Sequence, residues 1–390
     1  MSERLRIGMI AACPFPWPRG TPIRIFRMAE FLAARGHDVH LFTYHLGQPA
    51  DDAPFLIHRI PDAPGYTRTA PGPTLRKLLQ LNPRLARLVA RFEQDKPFDI
   101  IHAHHYEGIL TATRAAARAP IVYDAHTTLA GELPYYYPWL PAWATRWVGS
   151  WLDRRLPRRA QHTIAVSSRI RDSLIAVGAA SSQAISVIPN GVRWRLFDVT
   201  SAPRQSANKL IFTGNLSNYQ GIGLMLRAFA ELWRRRPDVR LLLVTHSSFA
   251  SFEDLARKLE ILPAIDVRAA PFCEQPALLA EADVAINPRT DCDGIPQKLL
   301  NYMAAGKPIV SFDGSAVHLQ HDRTGLRVPD GDTSAMARAI ERLLDDPALA
   351  SRLGAAARQE VKNRFSWEVV AQRVEQVYQR LLERSPRVRR

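Results

Sequence analysis

Residues 287–308 read NPRTDCDGIPQKLLNYMAAGKP: a carboxylate at Asp293, a turn at Gly294, Ile295 and Pro296, then Gln297 and Lys298 at the head of a short helix. Gly306 and Pro308 end that helix in the usual order, and Ile309 and Val310 open the next strand. An apolar run before Asn287 supplies a strand on the other side, so the segment reads as one unit of a parallel α/β sheet. Its chemistry is that of an anion site. The first turn of a helix leaves backbone N–H groups unpaired and carries partial positive charge, which suits a phosphate, and Lys298 adds a full charge. The plain alternative is a capped helix lying on a sheet with no ligand.

Working outward, short β-like runs alternate with longer helical patterns along the whole chain. A first series covers 5–10, 23–35, 38–42, 100–103, 110–118, 121–124, 163–166 and 168–177. A second covers 209–213, 222–235, 239–244, 252–259, 265–268, 276–280, 284–287, 297–305 and 309–312. Each series predicts a doubly wound α/β domain with a parallel sheet. The turn phrase at 188–192 and the polar stretch 201–206 fall between them, which places the boundary near residue 200, with domains at 1–200 and 201–367. In such sheets ligands sit at the carboxyl ends of strands, and two such domains make the cleft between them the expected site.

Composition fits this size. The 390 residues, 46% hydrophobic and 23% charged, suffice for two ordinary cores and exclude a disordered chain. Three scattered cysteines, Cys13, Cys273 and Cys292, lack metal-ligand spacing and point to a reducing compartment, hence a cytoplasmic protein. The apolar run from Ile7 is broken by Pro14, too soon for a signal segment or a membrane span. Of the net charge of +15, +10 lies in residues 1–200, where 25 Lys and Arg face 15 Asp and Glu. A basic half invites an acidic partner such as an anionic membrane surface. No nucleic-acid module accompanies the charge, so nucleic acid is not expected.

Two clusters in the first half carry chemistry. His102, His104 and His105 crowd one strand end, yet neighbouring sequence offers no carboxylate or cysteine at ligand spacing, so no metal site is expected. His126 follows the strand at 121–124, and Asp124, two residues earlier, points the same way by the period of two. Farther on, Trp143, Trp147 and Trp151 recur every four residues among Arg146, Arg154, Arg155, Arg158 and Arg159. Aromatic and basic side chains on one helix suit a bilayer interface, and the same stripe also suits burial inside the protein.

In chain order, RGHDV at 35–39, YDAHTT at 123–128, VSS at 166–168, IPNGV at 188–192, TGNLSNYQG at 213–221 and the opening segment resemble the retaining glycosyltransferases of family 4. The resemblance covers nearly the whole chain. It implies the GT-B fold, two Rossmann-like domains facing a cleft, with a last helix at about 368–385 returning to the first domain. It implies a metal-independent hexosyltransferase without cofactor, taking a nucleotide-diphospho-sugar and passing the sugar with retention to a hydroxyl of a lipid-linked, polysaccharide or cell-envelope glycan. By the same resemblance Gly20 and Thr21 form the acceptor-side loop, His126 faces the donor sugar and Asp293 holds sugar hydroxyls. Gly214, Asn215, Gln220, Gly294, Ile295, Gln297, Lys298 and Asn301 make the donor site, with the base near 244–246 and 271–274. Family members commonly carry cations where Asn215 and Gln220 stand, and an acidic residue where Asn301 stands. These three exchanges also fit a second reading, a GT-B protein that binds nucleotide or glycan without turnover.

Overall fold

The computed structural model describes residues 3–17, 20–199, 208–292 and 294–384. The chain divides into two compact units, Met1–Asn190 with Trp367–Arg390, and Gly191–Ser366. Among the described residues of the first unit, seven strands pair in parallel: β1 (Arg6–Ala11), β2 (Asp38–Thr43), β3 (Leu56–Arg59), β4 (Ile100–His104), β5 (Ile121–Ala125), β6 (His162–Ala165) and β7 (Ile185–Val187). Their spatial order is β3-β2-β1-β4-β5-β6-β7. β4 and β5 are buried along their whole length because helices cover both faces, which is why they read as unbroken apolar runs. The order reverses between β1 and β4, and the strands' carboxyl ends there, Ala11 and His104, open a crevice.

The helix Trp367–Arg384 belongs to the first unit. Its Trp367, Val370, Val374 and Tyr378 are buried with Ile7 and Met9 of β1 and with Ile25 and Met28 of the helix Gly20–Ala34. Glu375, nearly buried, pairs with Arg35 and with His37 at 3.1 Å.

The described second unit holds β8 (Lys209–Thr213), β9 (Arg240–Val244), β10 (Ile265–Arg268), β11 (Val284–Asn287), β12 (Ile309–Phe312) and β13 (Leu326–Val328), all parallel. Their order is β10-β9-β8-β11-β12-β13, again doubly wound, with its reversal between β8 and β11. The units divide between Asn190 and Gly191, ten residues before the expected boundary near 200. Val192 and Phe197 are the physical reason: both are buried with Leu299, Met303 and Phe365 in the second unit, and the Val192 N–H donates to the Phe365 carbonyl at 2.8 Å. Residues 200–207, which include the expected linker, and the tail 385–390 lie outside the described residues.

Candidate functional site

In the second unit the groups expected to bind the donor gather at the β8/β11 switch point. β8 runs through Thr213 into the loop 214–221, and the helix Ile222–Arg235 starts directly after Gly221. Gly221 has φ +73°, and a Cβ there would lie 2.0 Å from the Pro288 carbonyl oxygen, so only glycine lets this loop close against the end of β11. Across the switch point the helix Gln297–Ala304 begins after Pro296, and among the described residues no side chain caps its first N–H groups. Lys298 reaches back from that helix. Its Nζ donates to Gln220 Oε1 at 2.7 Å and sits 3.8 Å from the centroid of the Phe212 ring.

Where Asn215 and Gln220 are neutral, a cation arrives from the opposite element, and buried Gln220 holds it in place. Burial, then the Arg289 charge nearby, brings the Lys298 ammonium down to about 7, while Cys292 acts weakly the other way. An anion placed here would reverse that shift. Arg289 stacks on Tyr219, 4.9 Å from the ring centroid, and Asn215 Nδ2 donates to the Tyr219 hydroxyl at 3.0 Å. Asn301 is buried and accepts from Gln297 Nε2 at 3.4 Å, and Gln297 also donates to the Gly191 carbonyl at 3.3 Å. Ile295 is buried and Gly294 half-buried beside this helix. Asp293 lies outside the described residues.

In the first unit, β4 and β5 deliver a buried polar network. Asp124 takes a bidentate pair from Arg24, at 2.9 and 3.1 Å, and also accepts from His104 Nδ1 at 3.0 Å. His126 Nε2 stands 3.2 Å from the same carboxylate and 3.4 Å from His104. His102 meets the Tyr378 hydroxyl at 2.5 Å, which ties the last helix to β4. Burial pushes the Asp124 carboxyl up, but the Arg24 guanidinium and the two histidine hydrogen bonds outweigh it and hold it well below the usual carboxylate range. Burial brings His126 down to about 4 and lowers His102 and His104, so all three are neutral near pH 7. With its Nε2–H turned to Asp124, a neutral His126 leaves Nδ1 as a hydrogen-bond acceptor and carries no charge.

The sequence offered no carboxylate to the His102 cluster, and the fold supplies one: donor atoms of His102, His104 and Asp124 lie within 4.8 Å of one another. The set does not fit a cation, because Arg24 already occupies that carboxylate and brings its own positive charge.

Beside the network is a cavity of about 280 Å³ at the ends of β1 and β4. Gly20, Thr21 and His104 line it, together with His105, Glu107 and Lys77. Lys77 pairs with Glu107 at 3.3 Å, and His105, at φ +63°, stands 3.4 Å from Glu132. A backbone held in that region without glycine stores strain of the kind found at functional sites. Burial works against the His105 proton, yet the hydrogen bond and charge of Glu132 prevail and its pKa is raised. Lys77, Glu107, Glu132 and Arg24 escaped the sequence reading, since no spacing links residues 20 to 100 positions apart. Asp124 alone carried a signal, the strand period it shares with His126.

The description of Glycosyltransferase Family 4 matches residues 18–193, and that of Glycosyl transferases group 1 matches 207–346. A glycogen synthase of Mycobacterium tuberculosis is 30% identical over 72% of this chain and 68% of its own. The chain belongs to glycosyltransferase family 4. A phosphatidyl-myo-inositol mannosyltransferase of Mycobacterium leprae is 27% identical over 96% of both chains. Among solved structures, a sucrose-phosphate synthase of Thermosynechococcus elongatus superposes with a TM-score of 0.76 at 21% identity, covering 98% of this chain and 100% of that one. An Anabaena protein in complex with UDP superposes with 0.75 at 20% identity, covering 96% and 99%. These likenesses extend over both units and give the family 4 chain the GT-B fold.

Proposed function

We propose that this family 4 glycosyltransferase moves a hexose, with retention and without a metal ion or other cofactor, from a nucleotide-diphospho-sugar to a hydroxyl of a lipid-linked or polysaccharide acceptor of the cell envelope, working at the cytoplasmic side. The observation that carries the reading is the meeting of Lys298, Gly214 and an uncapped helix start at one switch point: a Cβ on Gly214 would stand 3.0 Å from the Lys298 Nζ. Protonated Lys298 and the N–H groups at the helix start stabilise the negative charge that grows on the leaving diphosphate. Asn301 hydrogen-bonds ribose, Asp293 holds sugar hydroxyls, and neutral His126, whose Nε2–H faces Asp124, accepts a hydrogen bond at Nδ1 from a hydroxyl of the transferred sugar. Retention follows a front-face route in which the leaving phosphate helps deprotonate the acceptor, so positioning and electrostatics are the protein's task. The cytoplasmic assignment draws on the three free cysteines, which fit a reducing compartment.

The relatives support a nucleotide-linked donor: one solved neighbour is a complex with UDP-glucose. A binding protein without turnover is the second reading, favoured by Asn215, whose amide is engaged by Tyr219 instead of facing a phosphate. A panel of nucleoside diphosphates and their sugars separates the two. The transferase raises its melting temperature with one diphosphate, loses that rise in Lys298→Ala, and releases nucleoside diphosphate from the matching sugar donor. Binding without release across the panel leaves the second reading, and no shift with any nucleotide sinks the transferase reading and confines the second to glycan binding.

A further inference from the structure

The tryptophan stripe does not bury itself. The helix Ala142–Arg155 turns Thr145, Gly149 and Asp153 inward: Gly149 lies on the backbone of Ala130, and Asp153 accepts from the N–H groups of Leu129 and Ala130, both at 2.9 Å. Trp143 and Trp147 are left 76% and 69% exposed, with Trp139 and Trp151 also exposed. All five arginines of 142–159 are exposed, and Asp153, the one carboxylate of that stretch, faces inward. A second element continues this surface. The Tyr136 ring lies against Gly72, and the Tyr137 hydroxyl donates to the Pro73 carbonyl at 3.4 Å, which seats the turn before exposed Leu75 and Leu79 beside the aromatic helix. Next to Leu79 a groove of about 380 Å³ is lined by Arg76, Arg84 and Arg87.

We infer that this face of the first unit docks on an anionic lipid bilayer, with the tryptophans and leucines in the interface and the arginines on lipid phosphates. Apolar side chains interleaved with cations, and no outward carboxylate along 142–159, complement a negatively charged surface that is apolar just beneath. A second copy of the chain is a poor occupant: a two-fold contact would set the five arginines against their own copies. The surface also reaches the first unit's cavity, since Gly72 and Tyr136 belong to the cavity wall. Resting on the transferase reading, the inference makes the acceptor lipid-borne, its hydroxyl entering the cavity from the membrane side.

Co-sedimentation with vesicles tests it without any turnover. The chain is expected to bind phosphatidylcholine vesicles containing phosphatidylglycerol, weakly or not at all those of phosphatidylcholine alone, and less as salt rises. W143A/W147A, two exposed positions, is expected to weaken binding about tenfold or more at an unchanged melting temperature. R154Q/R155Q is expected to erase the preference for phosphatidylglycerol. Equal binding by wild type and W143A/W147A overturns the proposal, as does absence of binding to anionic vesicles. So does a wild-type dimer in sedimentation velocity that the tryptophan variant turns into a monomer. Because nucleoside-diphosphate binding is measured separately, a failed vesicle test leaves the transferase reading standing.

Discussion

At pH 7 about half of Lys298 is neutral, because burial and Arg289 bring its pKa down to about 7. A bound diphosphate places negative charge beside Nζ and raises the pKa again, so binding above pH 7 must draw a proton from solvent. Nucleoside-diphosphate affinity is therefore expected to fall up to about tenfold per pH unit between roughly 7 and 9. Calorimetry in buffers of different ionisation enthalpy reads the uptake directly, and a flat profile removes Lys298 from the phosphate. The apo protein has the opposite interest. Its folded pKa lies below the unfolded one, so between about 7 and the ordinary lysine value the unfolded chain holds more protons, and this group's contribution to stability falls as pH drops through that window. Lys298→Met is thus expected to raise the apo melting temperature by about 2–4 °C while abolishing diphosphate binding, the trade expected of a residue kept for function. Asp124 behaves differently. Asp124→Asn leaves the Arg24 guanidinium buried without its partner, and a loss of about 3–5 kcal/mol in urea unfolding is expected. A loss under about 1 kcal/mol means that water already reaches Arg24.

Among elements, the loop from β8 to the helix Ile222–Arg235 has little freedom. Gly221→Ala must keep φ +73° and place a methyl 2.0 Å from the Pro288 oxygen, so about 2–4 kcal/mol of stability is expected to be lost together with diphosphate binding. Gly20→Ala is the contrast. Nothing lies within 4 Å of its Cβ, so it should cost under about 0.5 kcal/mol, and a fall in turnover at full stability would then report a ligand approaching that backbone. This difference bears on what was legible in the sequence. Both glycines sit in family-like loops, and only the fold tells a glycine needed by its neighbour from one facing open space. The alternation of strands and helices was legible because buried parallel strands are continuous apolar runs and helices carry a 3.6 period. Lys298 was legible as the head of a helix, whereas its bond to Gln220, 78 positions earlier, depends on which strands lie at the switch point. The inward face of the tryptophan helix was hidden for a similar reason. Thr145, Gly149 and Asp153 are not apolar, and their burial comes from close backbone approach and capping rather than from hydrophobicity.

At the scale of the molecule, the first unit is discontinuous in sequence, and this has a thermodynamic consequence. The helix Trp367–Arg384 contributes Trp367, Val370, Ala371, Val374, Val377, Tyr378 and Leu381 to a core built on β1, while Tyr378 bonds His102 and Glu375 pairs with Arg35 and His37. Seven buried side chains amount to on the order of 10 kcal/mol of burial, comparable to the whole stability of a domain. A chain ending at Ser366 is therefore expected to lose the folded first unit, leaving Ile7, Met9, Ile25 and Met28 uncovered and His102 without its partner. The second unit needs none of these residues for its own core. Scanning calorimetry of the truncated chain should then show one transition, still raised by the nucleoside diphosphate that stabilises the intact protein, and circular dichroism should show helix lost beyond the residues removed. Persistence of a first-unit transition would mean that the sheet β1–β7 closes its apolar face by another route. Loss of the nucleotide-sensitive transition would mean that the second unit does not fold alone, and in either case the division at Asn190 and Ser366 would not be a division of folding.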